Sequence, residues 1–341
     1  MKPLVSILIP AYNAQSSVAE AIASAVSQTW PRKEIVVVDD GSRDATLAIA
    51  RRFVSRQVCA VTQPNQGAAA ARNHALSRCQ GDYVQWLDAD DVLARDKIAR
   101  QMAEIERAPD PWNLLSGAWG CFMHRPSRAR FVPTPLWDDL SPVEWLIRKL
   151  ALNVYMQTAT WLVSRELTDA VGPWDTRMLS DDDGEYFSRV VLASTGIRFV
   201  PDARMFYRVS GPSGLSSIGR SDRKMEALFL SMRLHIRYIR SLEDSERTRA
   251  ACMTYLQAGL PNFHPERPDI VEQARALAEA LGGSLTPPHV SRTYACVEKW
   301  CGWPFARRIQ MLARGARFSM RRRWDRALGW IDGIAHDEAL R

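Results

Sequence analysis

The sequence predicts an α/β protein with a mostly parallel mixed sheet, Rossmann-like, covered by helices on both faces and extended by C-terminal helices. Three observations predict it. Strand-like and helix-like segments alternate through the first hundred residues, the pattern of βαβ units. Aspartate-rich clusters recur where the predicted strands end. Beyond residue 220 only helical periodicity remains.

The run Leu4–Pro10 reads as a buried strand, and residues 16–28 as a helix with Ser16 or Ser17 at its cap. Residues 34–40 (EIVVVDD), 58–63 and 82–88 (DYVQWLD) are further strands, separated by helices over 43–54 and 67–79 and followed by one over 94–108. After Pro109 the rhythm changes. A strand over 112–124 leads into a Pro/Arg-rich loop to about residue 140. A helix over 141–152 has Ser141 as cap and Pro142 in its first turn. Strands over 158–166 and 197–202 flank a helix that starts near Ser180 and ends near Ser194. Residues 222–242, 245–260 and 267–281 read as helices. Three regions follow: 1–110, 111–220 and 221–341.

The composition is that of a globular chain: 341 residues, 46% apolar and 24% charged. No secretory leader is expected from the short apolar run at the N-terminus, and no window is apolar enough to span a membrane. The six cysteines form no C-x-x-C pair, which argues against a zinc site or disulfide framework and fits a reducing, cytoplasmic compartment. The net charge of +7 has one source. Between Phe305 and Arg326 stand eight arginines and a single acid, and the rest of the chain is neutral.

Ligands of parallel sheets bind at the carboxyl ends of the strands. Pro10-Ala11-Tyr12-Asn13, Asp39-Asp40-Gly41-Ser42 and Asp88-Ala89-Asp90-Asp91 occupy three such ends. One cluster alone would be an ordinary turn or cap. Together they bring an aromatic ring and five carboxylates to one crevice. No G-x-G-x-x-G follows the first strand, so a dinucleotide fingerprint is absent.

The segments VSILIPAYN, EIVVVDDGSRDAT, NQGAAAARNHALS and GDYVQWLDADD, in this order and spacing, resemble the family 2 glycosyltransferases over about residues 3–210. The resemblance implies a GT-A fold, a sugar–nucleotide donor and an inverting mechanism. Asp88-Ala89-Asp90 matches the family's D-x-D pattern, which implies Mn2+ or Mg2+ bound by Asp90 directly. Asp88 would hold the ribose, or the metal through water. By the same resemblance Pro10, Ala11 and Tyr12 line the donor site, with Tyr12 flat on the base and Asp39 accepting from the uracil imide of a UDP-sugar. Arg72 would reach the diphosphate or order Asp88. Asp91 reads as a helix cap and His74 as structural.

The stretch SDDDGEYFSR (180–189) carries three adjacent carboxylates, which repel one another and need a reason. The family has an acidic pair followed, six residues after its second acid, by an arginine. Counting back from Arg189 gives Asp182-Asp183 as that pair, Asp183 as the catalytic base, Asp182 as its partner and Asp181 as a cap. Whether Asp182 or Asp183 points at the acceptor stays open. Many relatives have a histidine after the strand that follows the acidic helix. Residues 205–217 have none. Arg208 or the Gly/Ser loop 211–217, the latter also a candidate lid over the donor, stands in its place.

In the tail, Phe305, Ile309, Leu312, Ala316, Met320 and Trp324 fall on one helical face flanked by arginines. Residues 300–326 thus fit a helix at an anionic membrane surface, peripheral on the cytoplasmic face of the inner membrane. The other reading is a helix packed on its own domain or on a second copy in a homo-oligomer. Nucleic acid is not expected as a partner, because no reading motif accompanies the charge.

The expected function is therefore metal-dependent transfer of a sugar from a UDP-sugar to a saccharide or lipid-linked acceptor in cell-surface polysaccharide synthesis. The alternative is a catalytically silent subunit that binds a nucleotide sugar or saccharide. A nucleotidyltransferase would need a glycine/arginine-rich phosphate loop after the first strand, and PAYNAQSS offers none.

Overall fold

Valine- and isoleucine-rich runs with no polar face become central strands, because only a sheet covered on both sides buries them. A computed structural model describes residues 2–209, 221–288 and 291–339. Its first half alternates β1 (Val5–Ala11), α1 (Val18–Val26), β2 (Lys33–Asp39), α2 (Thr46–Arg51), β3 (Val58–Thr62), α3 (Ala68–Arg78), β4 (Tyr83–Trp86), β5 (Val92–Leu93) and α4 (Lys97–Arg107). The second half contains β6 (Asn113–Phe122), β7 (Arg130–Phe131), α5 (Pro142–Leu152), β8 (Val163–Ser164), α6 (Arg165–Val171), α7 (Asp182–Ala193) and β9 (Gly196–Arg208). Helices α8 (Asp222–Leu242), α9 (Glu246–Gly259), α10 (Pro268–Ala280), α11 (Ala295–Cys301) and α12 (Trp303–Ala339) complete the chain.

Strand order in the main sheet is β3-β2-β1-β4-β8. The first four strands are parallel, and β8 runs antiparallel to β4. Ala11 pairs with Asp39 and Asp39 with Thr62, so the carboxyl ends of β1, β2 and β3 lie in register. Trp86 pairs with Leu8, which brings Asp88, two residues on, to the same edge. A second sheet, β5-β9-β6-β7, stands beside the first, with β6 and β9 parallel.

One core lies under α1 and α4, where Val18, Ile22, Ile98 and Met102 are fully buried against Ile7, Ile9 and Val37. The other lies on the opposite face and continues outward: Met225, Phe229, Ile236 and Ile239 of α8, with Leu256 of α9 and Val271 of α10, join Trp86, Trp145 and Tyr186 in one cluster. The apolar faces of α8, α9 and α10 therefore pack on the second half of the chain. Among the described residues no helix is long and apolar enough to cross a membrane.

Local chemistry accounts for the departures from the predicted elements. The strand expected over 158–166 shrinks to two residues. A 3-10 turn occupies Thr158–Thr160, and Ser164 starts a helix by accepting from Leu167 N at 3.0 Å. Strand β9 runs six residues past its expected end, because β6 offers it a parallel partner as far as Phe122. Ser141 caps α5 as expected, accepting from Glu144 N. Ser17 sits at the start of α1 but bonds back to the carbonyl of Ala14, so it does not cap with its side chain.

Between Gly117 and Trp119 the β6–β9 register slips, and a Cβ on Gly117 would lie 2.1 Å from the carbonyl oxygen of Ala203. The obstacle is backbone, which cannot rotate away. Gly117→Ala should destabilise the protein by about 1–3 kcal/mol in chemical denaturation. An unchanged midpoint would show that the two strands separate more easily than this contact implies.

Candidate active site

The five strand-end carboxylates do not share one role. Asp40 is fully engaged: its carboxylate accepts from Gln63 Nε2 (2.7 Å), Asn65 Nδ2 (3.1 Å), Gln66 N (2.9 Å) and Gly67 N (2.8 Å). It fixes the loop that leads into α3, and Asp40 N binds Ala11 O at 2.8 Å to join the first two strand ends. Asp91 turns inward instead and accepts from the backbone N of Arg208 at 2.8 Å. Burial, then Asp90 and Asp88, push its pKa well above the carboxylate range, against the opposing effect of Arg208. The expectation that Asp91 caps a helix is not met; α4 begins at Lys97, after Asp96. Asp39 and Asp88 have partners of their own.

Asp39 is 2% exposed. Its Oδ2 accepts from Thr62 Oγ1 (2.9 Å) and Ser42 N (3.3 Å), while Oδ1 is buried without a partner. A buried carboxylate oxygen without a donor is costly, so Asp39 can accept a hydrogen bond from a ligand. Tyr12, just past β1, is 41% exposed, a ring available for stacking. Pro10 and Ala11 form the end of β1 behind it. Ala89 is buried, and Arg208 Nε donates to the carbonyl of Asp90 at 2.8 Å. Arg208, expected as a stand-in for a histidine, also pairs with Glu20 and donates to Met123 O at 3.4 Å. Residues 211–217 lie outside the described residues.

Arg72 is the junction of the site. It is buried on α3, with its guanidinium 4.4 Å from the ring of Trp174. One amino group donates to Asp88 Oδ1 at 2.8 Å, the other to Asp182 Oδ2 at 2.5 Å. Burial opposes its charge, but Asp182, Asp88 and Asp183 more than offset this and raise its pKa. Of the two roles expected for Arg72, the ordering of Asp88 is present, and the bond to Asp182 adds a partner from the second half of the chain. Behind it Trp174 stacks on Tyr186 at 4.0 Å, and Trp86 meets both rings edge-on. These aromatics join α3, β4 and α7 into one rigid wall.

The three adjacent aspartates have three destinations. Asp182 faces Arg72. Asp181, expected as a cap, stands at the N-cap position of α7 with φ 56°, but its side chain makes no cap hydrogen bond and instead accepts from Ser231 Oγ at 2.5 Å. Asp183 accepts from Gly184 N (2.9 Å) and Thr158 Oγ1 (3.4 Å) and lines a cavity of about 420 Å³. Tyr155, Tyr207, Trp145 and Lys149 also line this cavity, with Met232 and Tyr255 from α8 and α9. Burial, then Asp182 and Asp181, push the Asp183 carboxyl up to about 7, with Arg72 acting in the other direction. A carboxylate that titrates near neutrality beside a cavity can take a proton from a bound hydroxyl. Glu185 and Arg189 are structural: they pair at 2.8 Å, and Arg189 also binds the carbonyls of Val171 and Pro173. His74, read as structural, bonds Gln63 Oε1 at 2.8 Å.

Thr158, Ser231 and His235 were not found from the sequence. Only the four-residue spacing of Ser231 and His235 on one helix could have raised them, and that spacing is common.

Among the described residues no group of three or more His, Cys, Asp or Glu side chains could hold a metal ion. Asp88 and Asp90 offer carboxylates two residues apart, and the bond to Arg72 takes Oδ1 of Asp88 but not Oδ2. A hard divalent cation needs about six oxygens. These residues therefore fit a cation that draws its other ligands from a diphosphate and water.

Two abutting sheets with carboxylates at the strand ends are the arrangement of a GT-A fold. Residues 6–113 match the model of glycosyl transferase family 2. A putative teichuronic acid biosynthesis glycosyltransferase, TuaG of Bacillus subtilis, is 40% identical over 104 residues, 30% of this chain and 41% of that protein. The Escherichia coli UDP-Glc:alpha-D-GlcNAc-diphosphoundecaprenol beta-1,3-glucosyltransferase WfaP is likewise 40% identical over 104 residues, with the same coverage. The chain thus spans 41% of the length of these relatives. Among solved structures, S. aureus TarS 1-349 in complex with UDP-GlcNAc superposes with a TM-score of 0.58 at 19% identity, covering 84% of this chain and 95% of that one. That likeness shows the fold.

Asp40 and Asp39 should differ in their effect on stability. Asp40→Ala strips four donors of their acceptor and should cost roughly 2–3 kcal/mol. Asp39→Ala removes a carboxylate with an unpaired buried oxygen and should cost less. Thermal unfolding of the two variants reads the difference, and the reverse order would contradict this division of labour.

Proposed function

We propose that the protein is an inverting glycosyltransferase of the hexosyl type. It would move a sugar from a UDP-sugar to a saccharide or lipid-linked acceptor in cell-surface polysaccharide synthesis. The observation that carries this reading is Asp183: a carboxyl titrating near neutrality on the wall of a cavity, joined through Asp182, Arg72 and Asp88 to the strand ends. The names of WfaP and of the TarS complex, with UDP-Glc and UDP-GlcNAc, support a UDP-sugar donor.

In this mechanism Tyr12 stacks on the base, and the unpartnered Oδ1 of Asp39 accepts from the uracil imide. Pro10 and Ala11 border the base, and Asp88, Ala89 and Asp90 border the diphosphate. Asp90, with Asp88, would hold Mn2+ or Mg2+, which when bound neutralises the diphosphate and stabilises it as leaving group. Arg72 holds Asp88 and Asp182 in place. The acceptor hydroxyl attacks the anomeric carbon from the face opposite the diphosphate. Asp183 takes its proton, a glycosidic C–O bond forms, and the C–O bond to UDP breaks. A single base with no nucleophile gives inversion. The cavity is of a size that holds small ligands, and its tyrosines and tryptophans suit sugar rings. A silent binding subunit would have no use for a carboxyl with a raised pKa at such a wall.

The tail supports a peripheral membrane contact. Trp300, Phe305, Met311, Leu312, Met320 and Trp324 are all at least half exposed, while Ala306 and Gln310 face the protein. The exposed apolar residues of α12 point away from its own domain, with Arg308, Arg317 and Arg323 exposed beside them, which suits anionic head groups. Asp325, the one acid of this segment, pairs with Arg125 at 2.9 Å and accepts from His124 N, close to the carbonyl of Met123 that binds Arg208.

Two results test these readings. Asp183→Asn should retain UDP binding in the presence of Mn2+ and lose transfer by about 10²–10⁴-fold. Because Asp183 must be ionised to act, wild-type kcat/KM should fall as pH drops through about 7, and this limb belongs to Asp183. Transfer at the wild-type rate by Asp183→Asn would overturn the base assignment. In the second test, the full chain should sediment with phosphatidylglycerol vesicles in a salt-sensitive way. Replacement of Arg308, Arg317 and Arg323 by glutamate should abolish this, and unchanged binding would contradict the role of the tail.

A further inference from the structure

Three like charges in sequence can serve a single base only if something separates them. Here Arg72 of α3 takes Asp182, and the group that takes Asp181 comes from α8, which lies outside the family-matched residues. Asp181 adopts a left-handed backbone conformation, φ 56° and ψ 34°, which is unfavourable for residues other than glycine and is best tolerated by Asn and Asp. Its side chain folds back over the start of α7: a Cβ on Gly184 would lie 2.0 Å from Asp181 Oδ1, so a larger residue there would have to displace that carboxylate. Ser231, fully buried on α8, donates to Asp181 Oδ2 at 2.5 Å. One turn further along, His235 is also fully buried, with Nδ1 3.8 Å from the same oxygen and 3.0 Å from Tyr255 OH of α9. Burial, then Lys149, depresses the imidazole to about 4, so it is neutral and the contact is dipolar rather than an ion pair.

We propose that Ser231 is a positioning residue for glycosyl transfer: it holds Asp181 turned away in its left-handed conformation and so aims Asp183 into the cavity. The proposal rests on the assignment of Asp183 as base. The geometry leaves little slack. With Asp182 tied to Arg72 and Asp181 tied to Ser231, the first turn of α7 is anchored on two sides, and Asp183 is left for the substrate. The groups that face Asp183 are Asp181 and Asp182 on its own helix, Arg72 from α3, Asp88 after β4, the Thr158 hydroxyl and the nearby Tyr155 phenol, with Lys149, Tyr207 and Tyr255 lining the same cavity. Of these only Asp181 is under the control of α8. The C-terminal helices would thereby be part of the catalytic apparatus, acting through the geometry and electrostatics of α7.

Two full-length variants test this, with UDP-glucose and UDP-GlcNAc hydrolysis or transfer as readout. Ser231→Ala removes the anchor. It should lower kcat roughly 10- to 100-fold with UDP affinity changed by less than about twofold. Asp181→Asn keeps an acceptor for Ser231 and tolerates the left-handed conformation, but it removes one negative charge near Asp183. It should fold normally and move the acid limb of the kcat/KM profile to lower pH. An active wild type with an unchanged kcat in Ser231→Ala, or an unmoved limb in Asp181→Asn, overturns this inference alone. A wild type that processes neither donor, nor any other UDP- or GDP-sugar, overturns the proposed function with it.

Discussion

The site depends on one guanidinium shared between two carboxylates. Arg72 holds Asp88 with one amino group and Asp182 with the other, and it is buried against Trp174 while doing so. Asp88 follows the fourth strand of the main sheet, and Asp182 opens a helix of the second half. Without the arginine, the acids at 88, 90, 182 and 183 would converge on one crevice with little to offset their repulsion. Removing one partner of such a buried pair is expensive, about 3–5 kcal/mol, because the remaining charge stays out of water. The arginine is therefore both a structural tie and the condition for gathering this much negative charge in one place. Lysine could not replace it, because a single ammonium lacks the planar fork that presents separate donors to two carboxylates.

Around that tie the carboxylates divide by partner. Asp40 is saturated by four donors and shapes a loop. Asp91 is buried against β9. Asp181 is handed to α8. Asp39 keeps one buried oxygen without a partner, Asp88 is held by Arg72, and Asp183 lines the cavity. In the proposed reaction each would meet a different group: Asp39 a neutral hydrogen-bond donor, the Asp88–Asp90 pair a cation shared with a diphosphate, and Asp183 a proton. The C-terminal helices belong to the same arrangement, since the apolar faces of α8 to α10 continue the second core and residues of α8 and α9 line the cavity beside Asp183.

The alternation of valine-rich runs with amphipathic segments was enough to read the sheet and the edge where its strands end, because strand burial and helix periodicity are local properties. The strand-end clusters were legible for the same reason. The individual fates of the aspartates were not. Asp39 and Asp40 are neighbours of one type, and only the fold shows that the loop 63–67 returns to satisfy one of them. Asp91 looked like a cap because Asp often is one, and the strand that claims it arrives more than a hundred residues later. Arg72 could be matched to Asp88, sixteen residues away, but not to Asp182, 110 residues away. Ser231 carried no signal, since its partner is set by how α8 packs across α7.

The central claim is that Arg72 and Asp182 work as one unit in support of Asp183. A double-mutant cycle on sugar transfer, with Arg72→Gln, Asp182→Asn and the combined variant, tests it most directly. Strong coupling is expected: the double variant should lose no more kcat/KM than the worse single one, an interaction of at least about 1 kcal/mol. Losses that multiply independently would mean that the two side chains touch without acting together, and would contradict the claim.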